Sequence, residues 1–442
     1  MASTYLSRTP SSTGNRRTFT ISMWMKRSKI GNNQKVFTAG TSGTESGLQF
    51  YDGSTENTLR FYEHSSSSDQ FVIAPNRLLR DTNAWYHIVI AVDTTQATAS
   101  NRVKYYVNGV QETSFATATY PSQNYDTLFN LSGTVNTVGF LSGHSAYFDG
   151  LMSHVHFIDG TAYDASAFGS TDSTTGEWKI NTSPSVTYGT NGFFILKDGN
   201  SGTDQSGQSN NLTVSGTLTN TEDCPSNVFA TINPLYKHSA TYANGNLKST
   251  NASNKFGGVS SIGVSTGKYY AEFKYGSASN QNGAVGIYGN PQLASNNNQG
   301  VGKEANSYSY RSDDGNKVIE NTGSAYGNTF ASGNIISIAL DLDNNKLYFA
   351  KDGVWQNSGD PTSGSTGTGA IDISLTPTDG CWFIAANCNS GSDTAVWEHN
   401  YGNGYFGTTA ISSEGTNASG IGKFEYDVPA GYTALSTKGL NE

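Results

Sequence analysis

Turn residues interrupt this chain roughly every 8–15 residues, and the segments between them are rich in Val, Ile, Tyr, Phe and Thr. Helical periodicity is almost absent; the best short candidate is "DASAFG" near Asp164. This rhythm constrains the fold most, because strands read with period two and helices with a longer period. In "RVKYYVNG", Val103, Tyr105 and Val107 fall on one face, and Lys104, Tyr106 and Asn108 on the other. "HIVIAVD" is apolar on both faces, as a central sandwich strand is.

Composition points the same way. Of 442 residues only 35 % are hydrophobic and 14 % charged, while aromatics reach 12 % and Gly counts 50. Disordered chains show few aromatics and high charge, so this chain is expected to fold, and to fold as all-β. Its length suits two or three domains.

The formal charge is −9, from 26 basic and 35 acidic residues. Basic runs such as "NRR" (Asn15–Arg17) and "KRSK" (Lys26–Lys29) are short, whereas a nucleic-acid groove needs clustered Lys and Arg to displace counterions. No nucleic-acid partner is expected. Cys224, Cys381 and Cys388 are odd in number and lack CxxC spacing, which speaks against a disulfide framework and a structural zinc site. The N-terminal stretch lacks the apolar core of a signal peptide, and no run reaches transmembrane length. The expectation is a protein made in the cytoplasm without membrane insertion.

Two stretches echo each other. "WYHIVIAVDTTQATASNRVKYYVNGV" (Trp85–Val110) and "GNIISIALDLDNNKLYFAKDGVW" (Gly333–Trp355) each read as strand, acidic turn, strand, then Asn-Gly or Asp-Gly. Both dipeptides tolerate positive φ and predict tight turns. Their spacing is domain-sized, so one scaffold is used twice. A boundary falls in the Gly/Ser/Thr/Asn-rich stretch between them. The expected organisation is a sandwich over 1–170, a bridging segment with some strand over 171–245, and a second sandwich over 246–442 ending in a closing strand, "KFEYDVPAGYTAL".

"FTISMWMKRS", "WYHIVIAVD", "VKYYVNGV" and "YFDGLMSHVHFIDGTAYDASAFG" (Tyr147–Gly169) occur in the order of laminin-G-like, concanavalin A-type jelly rolls, which the first half resembles. "GKYYAEFKY", "AVGIYG", "SYSYRSDDGNKV", "GNIISIALDLDNNKLYFAKDGVW" and "CWFIAANCNSG" resemble a SPRY domain, also a concanavalin A-like sandwich. With the intervening "YGTNGFFILKDGNSGTDQSGQSNN" and the tail "DVPAGYTALSTKG", the whole is similar to structural proteins of tailed bacteriophages, especially marine ones. The resemblance implies two concanavalin A-like jelly-roll β-sandwiches in tandem and a place on the virion. It implies other virion proteins and a host surface polysaccharide or receptor as partners, and it leaves room for a homo-oligomer.

Laminarinase-type enzymes need Glu-x-Asp-x-x-Glu on one strand face. Glu425-Tyr426-Asp427 is the one Glu-x-Asp, and Ala430 stands where the second Glu belongs. "GVSTG" (Gly263–Gly267) and "GNGYFG" (Gly402–Gly407) match nucleophile-elbow and dinucleotide patterns but precede no helix. His154 and His156 lie two apart on one strand face, a metal-capable spacing whose bland reading is a solvent-facing pair on an outer strand. "DLDNN" (Asp341–Asn345) opens like a calcium loop but lacks the later Gly and Glu. Laminin-G-like domains often hold calcium at a loop rim, which by resemblance makes Asp149 a candidate; no other cofactor is expected.

The positive expectation is a binding surface at Tyr308, Tyr310, Arg311 and Asp313, near where the SPRY resemblance places a partner surface. Aromatic faces stack on sugars or partner chains, and Arg and Asp fix orientation. The bland alternative is that alternate residues of the set fill the strand's core face. The reading reached is a non-enzymatic virion surface protein: a tail fibre or receptor-binding component contacting host glycan. A head fibre or capsid decoration protein, and a polysaccharide-active enzyme, are the rivals.

Overall fold

The computed structural model describes residues 4–31, 33–51, 57–197, 201–236, 240–252, 256–277, 282–290, 300–388 and 394–441. The chain divides into two compact units, Met1–Asn220 and Thr221–Glu442. The stretch 171–245 is shared between them. Trp178–Ile180, Phe193–Ile195 and Thr213–Ser215 are strands of the first unit, while Phe229 and Ala230 enter cores of the second.

In the first unit an eight-stranded sheet runs in the order Phe115–Thr119, Ser68–Pro75, Leu59–Ser65, Thr44–Phe50, Gln34–Thr41, Asn136–Val138, Tyr5–Arg8, Thr213–Ser215. It faces a six-stranded sheet ordered Phe193–Ile195, Gly150–Asp159, Thr18–Arg27, Trp85–Asp93, Val103–Val107, Val110–Gln111. Period-two alternation decides what meets between them. Phe19, Ile21, Met23 and Met25 point into the shared core with Ile88, Ile90, Val92, Phe37, Phe61 and Phe157. Each such buried side chain contributes about 1.5–3 kcal/mol of hydrophobic stabilisation.

The second unit repeats the plan. One sheet runs Thr241–Ala243, Lys248–Ala252, Thr394–Asn400, Lys268–Ser277, Ile335–Asp341, Lys346–Lys351, Val354–Trp355, with Ile371–Asp372 and Thr433–Ala434 pairing off this path. The other runs Phe256–Val259, Phe383–Cys388, Gly283–Tyr288, Ser307–Arg311, Asn316–Ile319, Thr322–Ala325. Ile336, Ile338 and Leu340 alternate into the core against Tyr308, Tyr310, Ile384 and Trp397.

The two echoing stretches are hairpins at matching places. Trp85–Asp93 pairs antiparallel with Val103–Val107, and Ile335–Asp341 with Lys346–Lys351. Each then reverses through a two-residue loop with both residues left-handed: Asn108 and Gly109 at φ 48° and 79°, Asp352 and Gly353 at φ 47° and 79°. Two consecutive positive φ values define the tight hairpin turn that matches strand twist, and Asn-Gly or Asp-Gly supplies them at least cost.

Two local expectations change, and the "DLDNN" turn gains a physical account. "DASAFG" forms only a single 3-10 turn, Ala165–Ala167, capped by Asp164. "KFEYDVPAGYTAL" is not a continuous closing strand; Lys423 forms an isolated bridge to Asn403 and Thr433–Ala434 pairs as a short strand, while between them Pro429 has no amide to donate and Gly431 is left-handed at φ 85°. In "DLDNN" the Asp341 carboxylate accepts the Asn344 amide at 3.0 Å and its side-chain nitrogen at 2.8 Å, and lies 3.0 Å from the Lys268 ammonium. It braces a turn.

Candidate functional site

Each unit has one sheet whose outer face is already covered by its own chain. In the first, segment 160–190 lays Tyr163, Phe168, Trp178 and Tyr188 over Val89, Ala91, Tyr106 and Ile158. Polar groups fix this cover. Thr20 Oγ1 donates to the Thr161 carbonyl at 2.7 Å and accepts the Tyr163 amide at 2.8 Å. Trp178 Nε1 donates to His87 Nδ1 at 3.0 Å. His87 therefore carries its proton on Nε2, 2.9 Å from Ser22 Oγ. Burial pulls the His87 imidazole down to about 3, with nearby His154 adding to the effect.

His154 and His156 sit on the covered side, both against the Phe194 ring, at centroid distances of 5.6 and 4.0 Å. The bland expectation of a solvent-facing outer pair fails. Their strand lies between two others, His156 is buried, and its Nδ1 is 2.9 Å from the Tyr188 hydroxyl. A bulge between Ser153 and His156, with His154 at φ 49°, breaks simple alternation there. Asp149 is half-buried, and burial raises its carboxyl despite Lys29. Among the described residues no group of three His, Cys, Asp or Glu side chains is placed to hold a metal ion.

The outer face of the eight-stranded sheet is different. Arg60 lies with its guanidinium 4.0 Å from the centre of the half-exposed Tyr51 ring and 4.3 Å from that of Tyr62. Beneath them the buried Lys35 ammonium holds Glu45 Oε1 and Gln49 Oε1, each at 2.9 Å, and Tyr62 OH donates to Glu45 at 2.6 Å. Burial pushes Glu45 up, but hydrogen bonds from Tyr62 and Lys35 outweigh it and hold the carboxyl below its usual range. Burial draws Lys35 down against the pull of Glu45. The result is a buried polar bed, Tyr62 included, under the half-exposed Tyr51 ring and the partly exposed Arg60. The alternation in "LRFYEH", which sends Phe61 inward and Arg60 and Tyr62 outward, is the signal that could have marked it.

In the second unit the C-terminal segment covers the larger sheet, with Phe424, Val428 and Tyr432 packed on Tyr270, Ala339 and Tyr348. Glu272, fully buried, anchors it. Its carboxylate accepts the amides of Glu425 at 2.8 Å and Tyr426 at 2.9 Å, the Tyr270 hydroxyl at 3.1 Å and Asn400 Nδ2 at 3.3 Å. Burial still pushes this carboxyl up to about 7.

The expected surface at Tyr308, Tyr310, Arg311 and Asp313 is not assembled. Tyr308 and Tyr310 are fully buried on the core face of Ser307–Arg311, because alternation from the outward Ser309 turns both inward. Tyr308 OH accepts the amides of Ser374 at 2.8 Å and Leu375 at 2.9 Å, and Tyr310 OH donates to the Asn328 carbonyl. The phenol oxygens are thus satisfied inside the fold. Arg311 and Asp313 do pair, Nε to Oδ1 at 3.0 Å, at the hairpin tip.

The enzyme-like motifs have structural roles. Glu425 accepts the Ser412 amide at 2.6 Å, and Asp427 accepts the Thr416 amide at 2.7 Å. Within "GNGYFG", Asn400 Oδ1 accepts the amides of Gly402 at 3.0 Å and Gly404 at 3.1 Å. Ser265 is exposed in a turn before the strand Lys268–Ser277.

A family described as the concanavalin A-like lectin/glucanases superfamily, Laminin_G_3, matches residues 2–167, and the SPRY domain family matches residues 254–370. No curated protein matches the chain. Among solved structures the chain is similar to the SPRY domain of human HERC1, at 18 % identity and TM-score 0.31 over 38 % of this chain and 96 % of that one. It is similar to a heptameric SAP-like pentraxin of Limulus polyphemus, at 16 % identity and TM-score 0.27 over 37 % and 72 % of the two chains. Domain 4 of the GH43 arabinanase AbnA of Geobacillus stearothermophilus, solved with arabinotriose, is similar at 19 % identity and TM-score 0.26 over 34 % and 64 %. The chain thus carries, in tandem, a concanavalin A-like domain of the laminin-G type and a SPRY domain.

Proposed function

We propose that this is a non-catalytic virion surface protein of a tailed phage, a tail fibre or receptor-binding component that docks acidic surface polysaccharide of the host through its first unit. The observation that carries the glycan reading is the half-exposed Tyr51 ring stacked on Arg60, seated on the buried Tyr62 and Lys35. A half-exposed tyrosine ring offers a face to sugar C–H groups. The guanidinium offers planar donors to a carboxylate or phosphate. The virion reading is supported by the resemblance of the chain to phage structural proteins.

Arg60→Ala is expected to weaken adsorption of the purified chain to acidic host polysaccharide by about tenfold, the equivalent of about 1.4 kcal/mol. Unchanged adsorption removes the site. Antibody labelling of virions tests location. Label on tails supports the reading, label confined to capsid faces supports a head fibre or decoration protein instead, and unlabelled virions overturn both.

A further inference from the structure

In the second unit, residues 325–328 and 354–358 face each other across a groove of about 510 Å³. They follow or form the terminal strands of the two sheets, Thr322–Ala325 and Val354–Trp355. The two walls are tied to one another. Gln356 Oε1 accepts the Asn328 amide at 2.8 Å while Gln356 Nε2 donates to the Val354 carbonyl at 2.7 Å. From the core, Tyr310 OH donates to the Asn328 carbonyl. Gly327 permits the approach, since a Cβ there would lie 2.7 Å from Gln356 Oε1.

The groove is held in a costly shape. Asn357 and Ser358 are consecutive non-glycine residues at φ 53° and 52°. Left-handed backbone of this kind is retained where surroundings over-determine it, often at binding sites. Trp355 is half-buried, seated edge-on against Tyr348 at 6.4 Å and 80°, with no hydrogen bond to its indole nitrogen among the described residues. The side chains of Asn328 and Ser358 also lack hydrogen-bond partners there and are exposed. Among the described residues, no charged side chain lines the groove.

These features select a ligand class. An acidic sugar or phosphate needs a cation, and a basic ligand needs a carboxylate; the lining has neither. An indole face beside amide and hydroxyl groups suits a ring with an apolar face and several hydroxyls. We infer that this groove is a second glycan site, for a neutral oligosaccharide, stacked on Trp355 and hydrogen-bonded by Asn328 and Ser358. It belongs to the other unit from Arg60 and does not rest on that face being a site.

The full chain, labelled and applied to an array of neutral and acidic bacterial and plant glycans, tests this. Wild-type protein is expected to retain neutral glycans. Trp355→Ala lowers their binding about tenfold and Asn328→Ala about fivefold. Among the described residues Asn328 makes no side-chain hydrogen bond, so its variant keeps the fold even if Trp355→Ala loosens it. Arg60→Ala leaves the neutral signal intact. Retention of no neutral glycan, or neutral binding unchanged in both groove variants, overturns the inference. Loss of acidic binding in Arg60→Ala alone would leave the proposed function standing without it.

Discussion

The Asn108 side-chain oxygen accepts the main-chain amide of His87 at 2.8 Å, and the Asp352 carboxylate does the same for Ile335, also at 2.8 Å. In each hairpin the first residue of the tight turn reaches across to clamp the start of the neighbouring strand. The next residue is also matched. A Cβ on Gly109 would meet the Trp178 ring at 2.3 Å, and one on Gly353 would meet Tyr426 at 2.7 Å. Both aromatics come from the segment covering the sheet. The echo in sequence is therefore an echo in mechanism: clamp, glycine, aromatic cap.

Asn108→Ala removes the clamp and places a Cβ-bearing residue without a side-chain acceptor at positive φ. It is expected to destabilise the first unit by about 1–2 kcal/mol in denaturant unfolding. Asp352→Asn keeps left-handed tolerance and one acceptor for the Ile335 amide but loses the oxygen that accepts the Asn334 side-chain nitrogen at 2.6 Å, and should cost less than Asn108→Ala, about 0.5–1 kcal/mol. Equal effects of the two substitutions would refute the clamp.

His87 sets an acid limit on the first unit. Its folded pKa, near 3 because of burial, lies below the ordinary 6.5, so the unfolded chain takes the proton first. The stability it contributes is present above about pH 6.5 and is lost as pH falls toward 3. His87→Gln removes this contribution. The stability difference between wild type and variant should shrink by about 1.4 kcal/mol per pH unit between pH 6 and 4. A pH-independent difference would show that His87 is not buried neutral.

Glu272 acts with the opposite sign in the second unit. Its folded pKa of about 7 exceeds the ordinary 4.5, so the folded chain holds the proton longer. The stability is fully present below about pH 4.5 and is lost as pH rises through 7. Buried His399, drawn down to about 3, works against this trend, so comparison with Glu272→Gln is needed to isolate it. Across pH 4.5 to 7 the wild type should lose about 3 kcal/mol relative to the variant. Parallel pH curves would mean that the four donors around the carboxylate outweigh its burial.

Tyr308→Phe leaves the core volume intact but strips the acceptor from the Ser374 and Leu375 amides. A loss of about 1–3 kcal/mol in unfolding free energy is expected, with glycan adsorption unchanged. Reduced adsorption at unchanged stability would return Tyr308 to the binding surface.

Strand positions and faces were legible because alternation in segments such as "RVKYYVNG" and "NIISIALD" directly records which side is dry. The same alternation in "SYSYR" contained the answer about Tyr308 and Tyr310, but phenol groups look polar until partners such as the Ser374 amide are known. The covering segments were harder to read. Phe168 and Phe424 sit in irregular chain, where no period announces burial. Trp355 gives no signal in the sequence, because the groove wall near Asn328 is distant along the chain and is brought to it by Gln356.

The cover over the second unit has an order in time as well as a place in space. Phe424, Val428 and Tyr432 follow Asn400, where the last long strand of the sheet they protect ends. On the ribosome, Tyr270, Ala339 and Tyr348 emerge first and lack the Phe424, Val428 and Tyr432 part of their cover until translation reaches it. A pause after Asn400 would hold a sandwich whose long strands are complete but whose flank is oily, a nascent state prone to sticking to its neighbours on a polysome. Expression yield should then depend on how quickly the following codons are read.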